Sequence, residues 1–252
     1  MHDTVIALAA FAAGAINSIA GGGTLLSFPA LVWIGVNPVM ANATNSFALW
    51  PGSLAAMIGF RRDLANIRRW LLLLTIPALL GGAAGAVLLL HTSMTTFTHL
   101  VPFLILGATL LLAAQEVITH RLGLVARAHE KPTAGWVTFV FVFQFLVGIY
   151  GGYFGGGIGI LILAALGFIG LTDMHEMNGL KNLLAICING VAAIYFAFSG
   201  AVLWKDGFIM AVAAIIGGYL GARIAHRFGR TFVRRAVVVI GLSMGIALFF
   251  KR

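Results

Sequence analysis

"GAINSIAGGGTLLSFPA", residues 14–30, sets three consecutive glycines, Gly21, Gly22 and Gly23, inside a run that otherwise reads as a membrane helix. The apolar stretches on either side, about 16 and about 13 residues long, are each short for a full crossing of the bilayer. Two such half-length helices form a hairpin that dips into the membrane and returns. A backbone break at that depth leaves NH and C=O groups that lipid cannot satisfy, so it is tolerated only where protein or water surrounds it. Glycines also let a ligand come close to the main chain. The helix that starts near Thr24 then aims free NH groups and the positive end of its dipole into the cavity, which is the geometry of an anion site.

The surrounding composition makes the membrane reading general. Of 252 residues, 61% are apolar and 9% charged, and the mean hydropathy is +1.03. Unbroken apolar runs such as Trp70 to Leu90 and Thr96 to Ala114 match a helical span of about 20 residues rather than the short alternating strands of a β-barrel. The expected class is an all-α integral membrane protein. Its formal charge of +9 sits in short clusters between apolar runs, where it orients the chain in the bilayer and speaks against nucleic acid as a partner. A single cysteine, Cys187, excludes an intrachain disulfide and a thiol pair. The first apolar run follows only "MHD", without the basic region and cleavage site of a secretory signal, and is read as part of the mature protein.

Breakers divide the chain into about ten segments: 4–20, 24–36, 39–60, 69–90, 96–117, 134–153, 158–171, 175–199, 206–226 and 232–250. The longest polar loop separates a first repeat, 1–118, from a second, 134–252, with a cytoplasmic linker at 119–133. Gly14 and Gly21–Gly23 return as Gly148 and Gly155, Gly156 and Gly157, 134 residues on, and "GGAAGA" at 81–86 returns as "GGYLGA" at 217–222, 136 residues on. Arg61, Arg62, Arg68 and Arg69, then Arg121, Arg127 and Lys131, then Arg223, Arg227, Arg230, Arg234 and Arg235 mark three cytoplasmic loops. This orientation places both termini outside, with Lys251 and Arg252 dissenting, and turns the second half upside down relative to the first. Inverted repeats of this kind characterise secondary transporters.

A polar stripe is repeated as well. Asn42, Asn45, Ser46 and Ser53 share one helical face, and Asn178, Lys181, Asn182 and Asn189 repeat that spacing 136 residues later. Asn and Ser also serve as glue between membrane helices, and glycines serve as small packing surfaces, so both readings stand at these positions. Lys181 is sharper, because an ammonium in a membrane segment marks a pathway or an internal partner. The alternatives are snorkelling and pairing with Asp173 or Glu176, which precede it on the same segment. Tyr150 and Tyr153, just before the second glycine run, supply hydroxyl donors. All seven histidines lie in loops or near segment ends without metal-ligand spacing on one helix, and there is no P-loop, so neither metal, cofactor nor nucleotide is expected.

The stretches "GAINSIAGGGTLLSFPALVWIGVNPVMANATNS" and "GIYGGYFGGGIGILILAALGFIG" resemble the TauE/SafE family of membrane permeases, also called the sulfite exporter family, and the resemblance extends over nearly the whole chain. It implies an inner-membrane transporter of small anions, with sulfite, thiosulfate and organosulfonates among the family's substrates. The second repeat departs from the first: Leu163 stands where Pro29 would recur, and "NGLKN" replaces "NATNS". The combined expectation is a non-enzymatic secondary transporter, embedded in lipid and open to proton coupling, that rocks one half against the other. Its substrate site comprises Gly21, Gly22, Gly23, Thr24, Asn45, Ser46, Gly155, Gly156, Gly157, Lys181 and Asn182, with Asn42, Tyr150, Tyr153 and Asn178 at its margin. An anion channel and a non-transporting assembly subunit are the competing readings.

Overall fold

The computed structural model of the chain describes residues 2–19, 22–57, 68–114, 117–118, 134–168, 171, 174–228 and 230–250. Among them run ten helices and no strand: α1 (His2–Ile19), α2 (Thr24–Trp33), α3 (Pro38–Met57), α4 (Arg68–His91), α5 (Met94–Ala113), α6 (Ala134–Tyr153), α7 (Ile158–Phe168), α8 (Met174–Phe198), α9 (Trp204–Phe228) and α10 (Arg230–Phe250). The expected linker at 119–133 lies outside the described residues, as do Gly21, Asp173, and the side chains of Asn178 and of every basic-loop residue except Arg234 and Arg235.

Local chemistry sets the boundaries. α2 stops in a Schellman turn: Gly35 takes φ +93°, its NH donates to Val32 O at 3.1 Å, and Val36 NH donates to Leu31 O at 3.1 Å. Asn37 Oδ1 then accepts Val39 NH at 2.9 Å and starts α3. Ser93 starts α5 by accepting Thr96 NH at 3.1 Å.

Four helices, α4, α5, α6 and α8, contain stretches long and apolar enough to cross a membrane: Leu73–His91, Met94–Ala113, Gly135–Tyr153 and Gly179–Phe198. Their outer faces carry large exposed apolar side chains such as Leu80, Phe103, Leu110 and Leu146, an arrangement that water would penalise and hydrocarbon accepts. α2 and α7, with 10 and 11 residues, reach about 15 Å at 1.5 Å per residue, half the hydrocarbon thickness.

Packing does not follow the order of the chain. α1 lies along α9, and α4 lies along α6. Both pairs are built on glycine: a Cβ on Gly14 would meet the Ala214 backbone, and one on Gly217 the Phe11 backbone. In the other pair, a Cβ on Gly81 would meet Gly148, and one on Gly85 would meet Ile149 and Tyr153. Thus "GGAAGA" and "GGYLGA" bring helix backbones together in the manner of small-residue membrane interfaces. The buried apolar residues form two clusters. One joins Leu74 and Ala78 of α4 to α6, α7 and α8, and the other draws Met210, Ala211 and Ala214 of α9 into a core with α1, α2 and α3. α5 packs on α10, and α3 on α8, with Trp50 Nε1 donating to Ile186 O at 3.2 Å across the latter contact.

Candidate functional site

The first glycine turn is pinned from two sides. Gly22 has φ +91°, a conformation that side-chain-bearing residues rarely adopt. Gly23 NH, the first donor of α2, is capped by Asn17 Oδ1 at 2.7 Å, while Leu25 NH reaches Gly22 O at 2.9 Å. One turn into α2, the fully buried Ser27 hydroxyl donates to Asn45 Oδ1 at 2.5 Å and has Gly23 O at 3.2 Å as a second acceptor. Asn45 therefore ties α3 to the start of α2, and its amide nitrogen is the part of that side chain left unengaged among the described residues.

The second turn is closed differently. Gly155 and Gly157 take φ +78° and +72°, and Phe154 NH and Gly155 NH both reach back to Tyr150 O, at 2.9 and 3.2 Å. The Tyr150 hydroxyl donates to Gly156 O at 2.6 Å, so its polar end is spent on the turn. Tyr153 directs its hydroxyl to Thr92 Oγ1 at 3.4 Å. Asn42, fully buried on the same face of α3 as Asn45, donates from Nδ2 to Tyr153 O at 2.8 Å. One face of α3 thus reaches both turns.

The turns meet over α5. A Cβ at Gly22 would lie 3.2 Å from Leu112 Cδ2, and one at Gly156 3.2 Å from Ala108 Cβ; Ala108 and Leu112 are one helical turn apart on the same face. Phe28 of α2 stands edge-on to Phe154 of the second turn, with ring centroids 5.5 Å apart. From α8, the Lys181 stem runs along the first turn of α7, its Cδ 3.5 Å from where a Cβ on Gly159 would sit, and Asn189 Oδ1 lies 3.5 Å from the Cβ position of Gly155. A lysine beside a helix start adds its charge to the positive end of the dipole. Thr24, Ser46 and Asn182 are half-buried. Ser53 turns back on its own helix, donating to Leu49 O at 3.3 Å.

Three features had no strong signal in the sequence. Ser27 is a lone hydroxyl in an apolar run, one turn past the glycines. Gln144 is fully buried in α6, with neither amide atom partnered among the described residues. His2, Asp3 and Asp206 gather their ligand atoms within 4.8 Å across α1 and α9, where they are engaged as His2 Nε2 to Asp206 at 3.1 Å and Asp3 to Lys205 at 2.8 Å.

The family model described as Sulfite exporter TauE/SafE matches residues 6–248. The chain belongs to the TauE/SafE family. Among similar proteins, a "Probable membrane transporter protein" of Haemophilus influenzae is 32% identical over 249 residues, covering 96% of this chain and 92% of the relative. A "Probable membrane transporter protein ORF9" of Sinorhizobium sp. is 32% identical, covering 96% and 90%. The "Probable membrane transporter protein YfcA" of Escherichia coli K12 is 29% identical, covering 98% and 89%. No solved structure matches the chain.

Proposed function

We propose that this TauE/SafE protein is a secondary transporter of small anions, sulfur oxyanions or sulfonates, in the inner membrane. The observation that carries the reading is the meeting of both glycine turns over Ala108 and Leu112, with the amide face of α3 and the Lys181 stem at the starts of α2 and α7. Backbone NH groups and amides supply geometry there, and Lys181 supplies charge. α2 and α7 act as the returning arms of two re-entrant hairpins, which their length supports. The exchanged contacts, α1 with α9 and α6 with α4, are those expected of two inverted repeats, 1–118 and 134–252, related by a pseudo-twofold axis. The bodies that rock in alternating access are then α1–α3 with α9, and α6–α8 with α4, so each contains a helix from the other half. Both termini are assigned to the outside.

The test is thermal stability of the purified protein against sulfur oxyanions, sulfonates, carboxylates and chloride at matched ionic strength, with Lys181→Ala beside it. A ligand that binds only the folded state raises the melting temperature by mass action. A selective shift lost in Lys181→Ala is the expected result, followed in liposomes by saturable flux with counterflow. No shift with any anion refutes the anion site, and unitary conductance in place of counterflow refutes the transporter in favour of a channel.

A further inference from the structure

Asn42 carries information about the ligand that the helix starts do not. Its Nδ2 donates to Tyr153 O at 2.8 Å, and this bond fixes which way the amide faces, because the flipped form would set oxygen against oxygen. The other end, Oδ1, is therefore an acceptor. It is fully buried and has no hydrogen-bond partner among the described residues. Tyr153 stands two residues before Gly155, so this acceptor sits beside the turn that opens α7. The neighbouring polar groups of α3 do not serve it: neither the Thr44 hydroxyl, whose oxygen accepts Leu203 NH at 3.0 Å, nor the Asn45 amide nitrogen donates to Asn42 Oδ1.

A buried acceptor left unpaired carries its full desolvation penalty, and a ligand that brings a proton to it removes that penalty. An anion made of acceptor oxygens alone would place lone pairs against Oδ1 and make matters worse. We infer that the anion carried by this site also bears a hydrogen-bond donor, an O–H or N–H, which Asn42 Oδ1 accepts while the anionic oxygens face the glycine turns and Lys181. The inference rests on the anion site proposed above and narrows its substrate class: singly protonated oxyanions and hydroxy- or amino-sulfonates are accepted, and their fully deprotonated or alkyl counterparts are disfavoured.

The experiment measures binding to the intact detergent-purified protein with matched pairs. Sulfate and hydrogenphosphate, compared at alkaline pH where phosphate keeps one proton, share charge and shape and differ in the donor. Ethanesulfonate and 2-methoxyethanesulfonate lack the donor that 2-hydroxyethanesulfonate has at the same charge. The donor-bearing member of each pair that binds is expected to be tighter by about tenfold or more, since sites built around a buried polar group discriminate strongly against ligands that leave it unpaired. Asn42→Leu, which removes the acceptor while keeping the branching and heavy-atom count of the side chain, is expected to bring the ratio to within about twofold. Equal affinities within the pairs in the wild-type protein overturn the inference while the anion site stands, and this arm needs no variant to fold. A preference retained in Asn42→Leu also overturns it, by moving the acceptor elsewhere. Absence of binding by every anion removes the anion site itself, and the inference with it.

Discussion

Replacing Gly85 by alanine tests how closely α4 and α6 are packed. A Cβ there would overlap Ile149 O and lie 2.8 Å from Tyr153 N, whereas ordinary contact begins at 3.4 Å. Both opposing atoms are backbone, so no rotamer change can relieve them, and clearing Ile149 O requires the helices to separate by about an ångström. A gap of that size forfeits about half of the dispersion energy for each atom pair along the seam, where Gly81 faces Gly148 and Gly82 faces Gly152. Overpacking of this kind costs about 1–3 kcal/mol, offset in part by the greater helix propensity of alanine, at most about 1 kcal/mol. Gly107 on α5 is the internal control, because a Cβ there meets nothing within 4 Å. Thermal unfolding in detergent is the assay. At about 2–4 °C per kcal/mol for a chain of this size, Gly85→Ala is expected to melt several degrees lower and Gly107→Ala no lower than the parent. Gly221→Ala, whose Cβ would lie 2.6 Å from Ala15 Cα, belongs with Gly85→Ala. Equal melting of Gly85→Ala and Gly107→Ala would refute the close backbone approach.

Ser27→Ala leaves Asn45 Oδ1 buried without its donor and is expected to lower stability by about 1–3 kcal/mol, measurable by the same unfolding assay; an unchanged melting temperature would remove that bond from the account. Gly22→Val forces a β-branched residue to φ +91°, a strain of about 1–3 kcal/mol, and is expected to abolish anion flux into liposomes. The Lys205 ammonium, hydrogen-bonded to Asp3, holds the Asp3 carboxyl below its ordinary value, and Asp3 in turn holds Lys205 above its own. The first effect contributes stability above the unfolded carboxylate pKa that is lost as pH falls through the lowered value. The second contributes stability below the unfolded lysine pKa that is lost as pH rises through the raised value. This pair therefore adds no slope between about pH 5 and 9, and Asp3→Asn should change the pH profile of melting only outside that window.

The helices were legible from their apolar runs, and "GGAAGA" and "GGYLGA" mark positions where a side chain would strike a neighbouring backbone, as at Gly81 and Gly217. The Asn42/Asn45 face was legible from spacing alone. What these residues do was less so. Asn45 spends its oxygen on Ser27, eighteen residues earlier in the chain, and Tyr150 spends its hydroxyl on Gly156 O; neither pairing has a letter pattern of its own. The partner choice of α4 and α9 was hidden for another reason. An apolar face turned to lipid and one turned to a neighbouring helix draw on the same residues, so only the close glycine contacts reveal that each packs with the opposite half. The His2–Asp206 pairing spans 204 residues and lies beyond any local reading.

The exchange of α4 and α9 also bears on how the molecule is made. As the chain enters the bilayer, α1 presents its small-residue groove long before α9 exists to fill it, and the core that α1, α2 and α3 share with Met210, Ala211 and Ala214 stays open until about four-fifths of the chain has been synthesised. α4, in turn, waits beside lipid for α6. Contacts so distant in sequence form late and slowly, so the early helices must persist undocked until the later ones arrive. A chain cut between α5 and α6 would yield two fragments, each missing the helix that closes its core, and able to complete one another only when both occupy the same membrane.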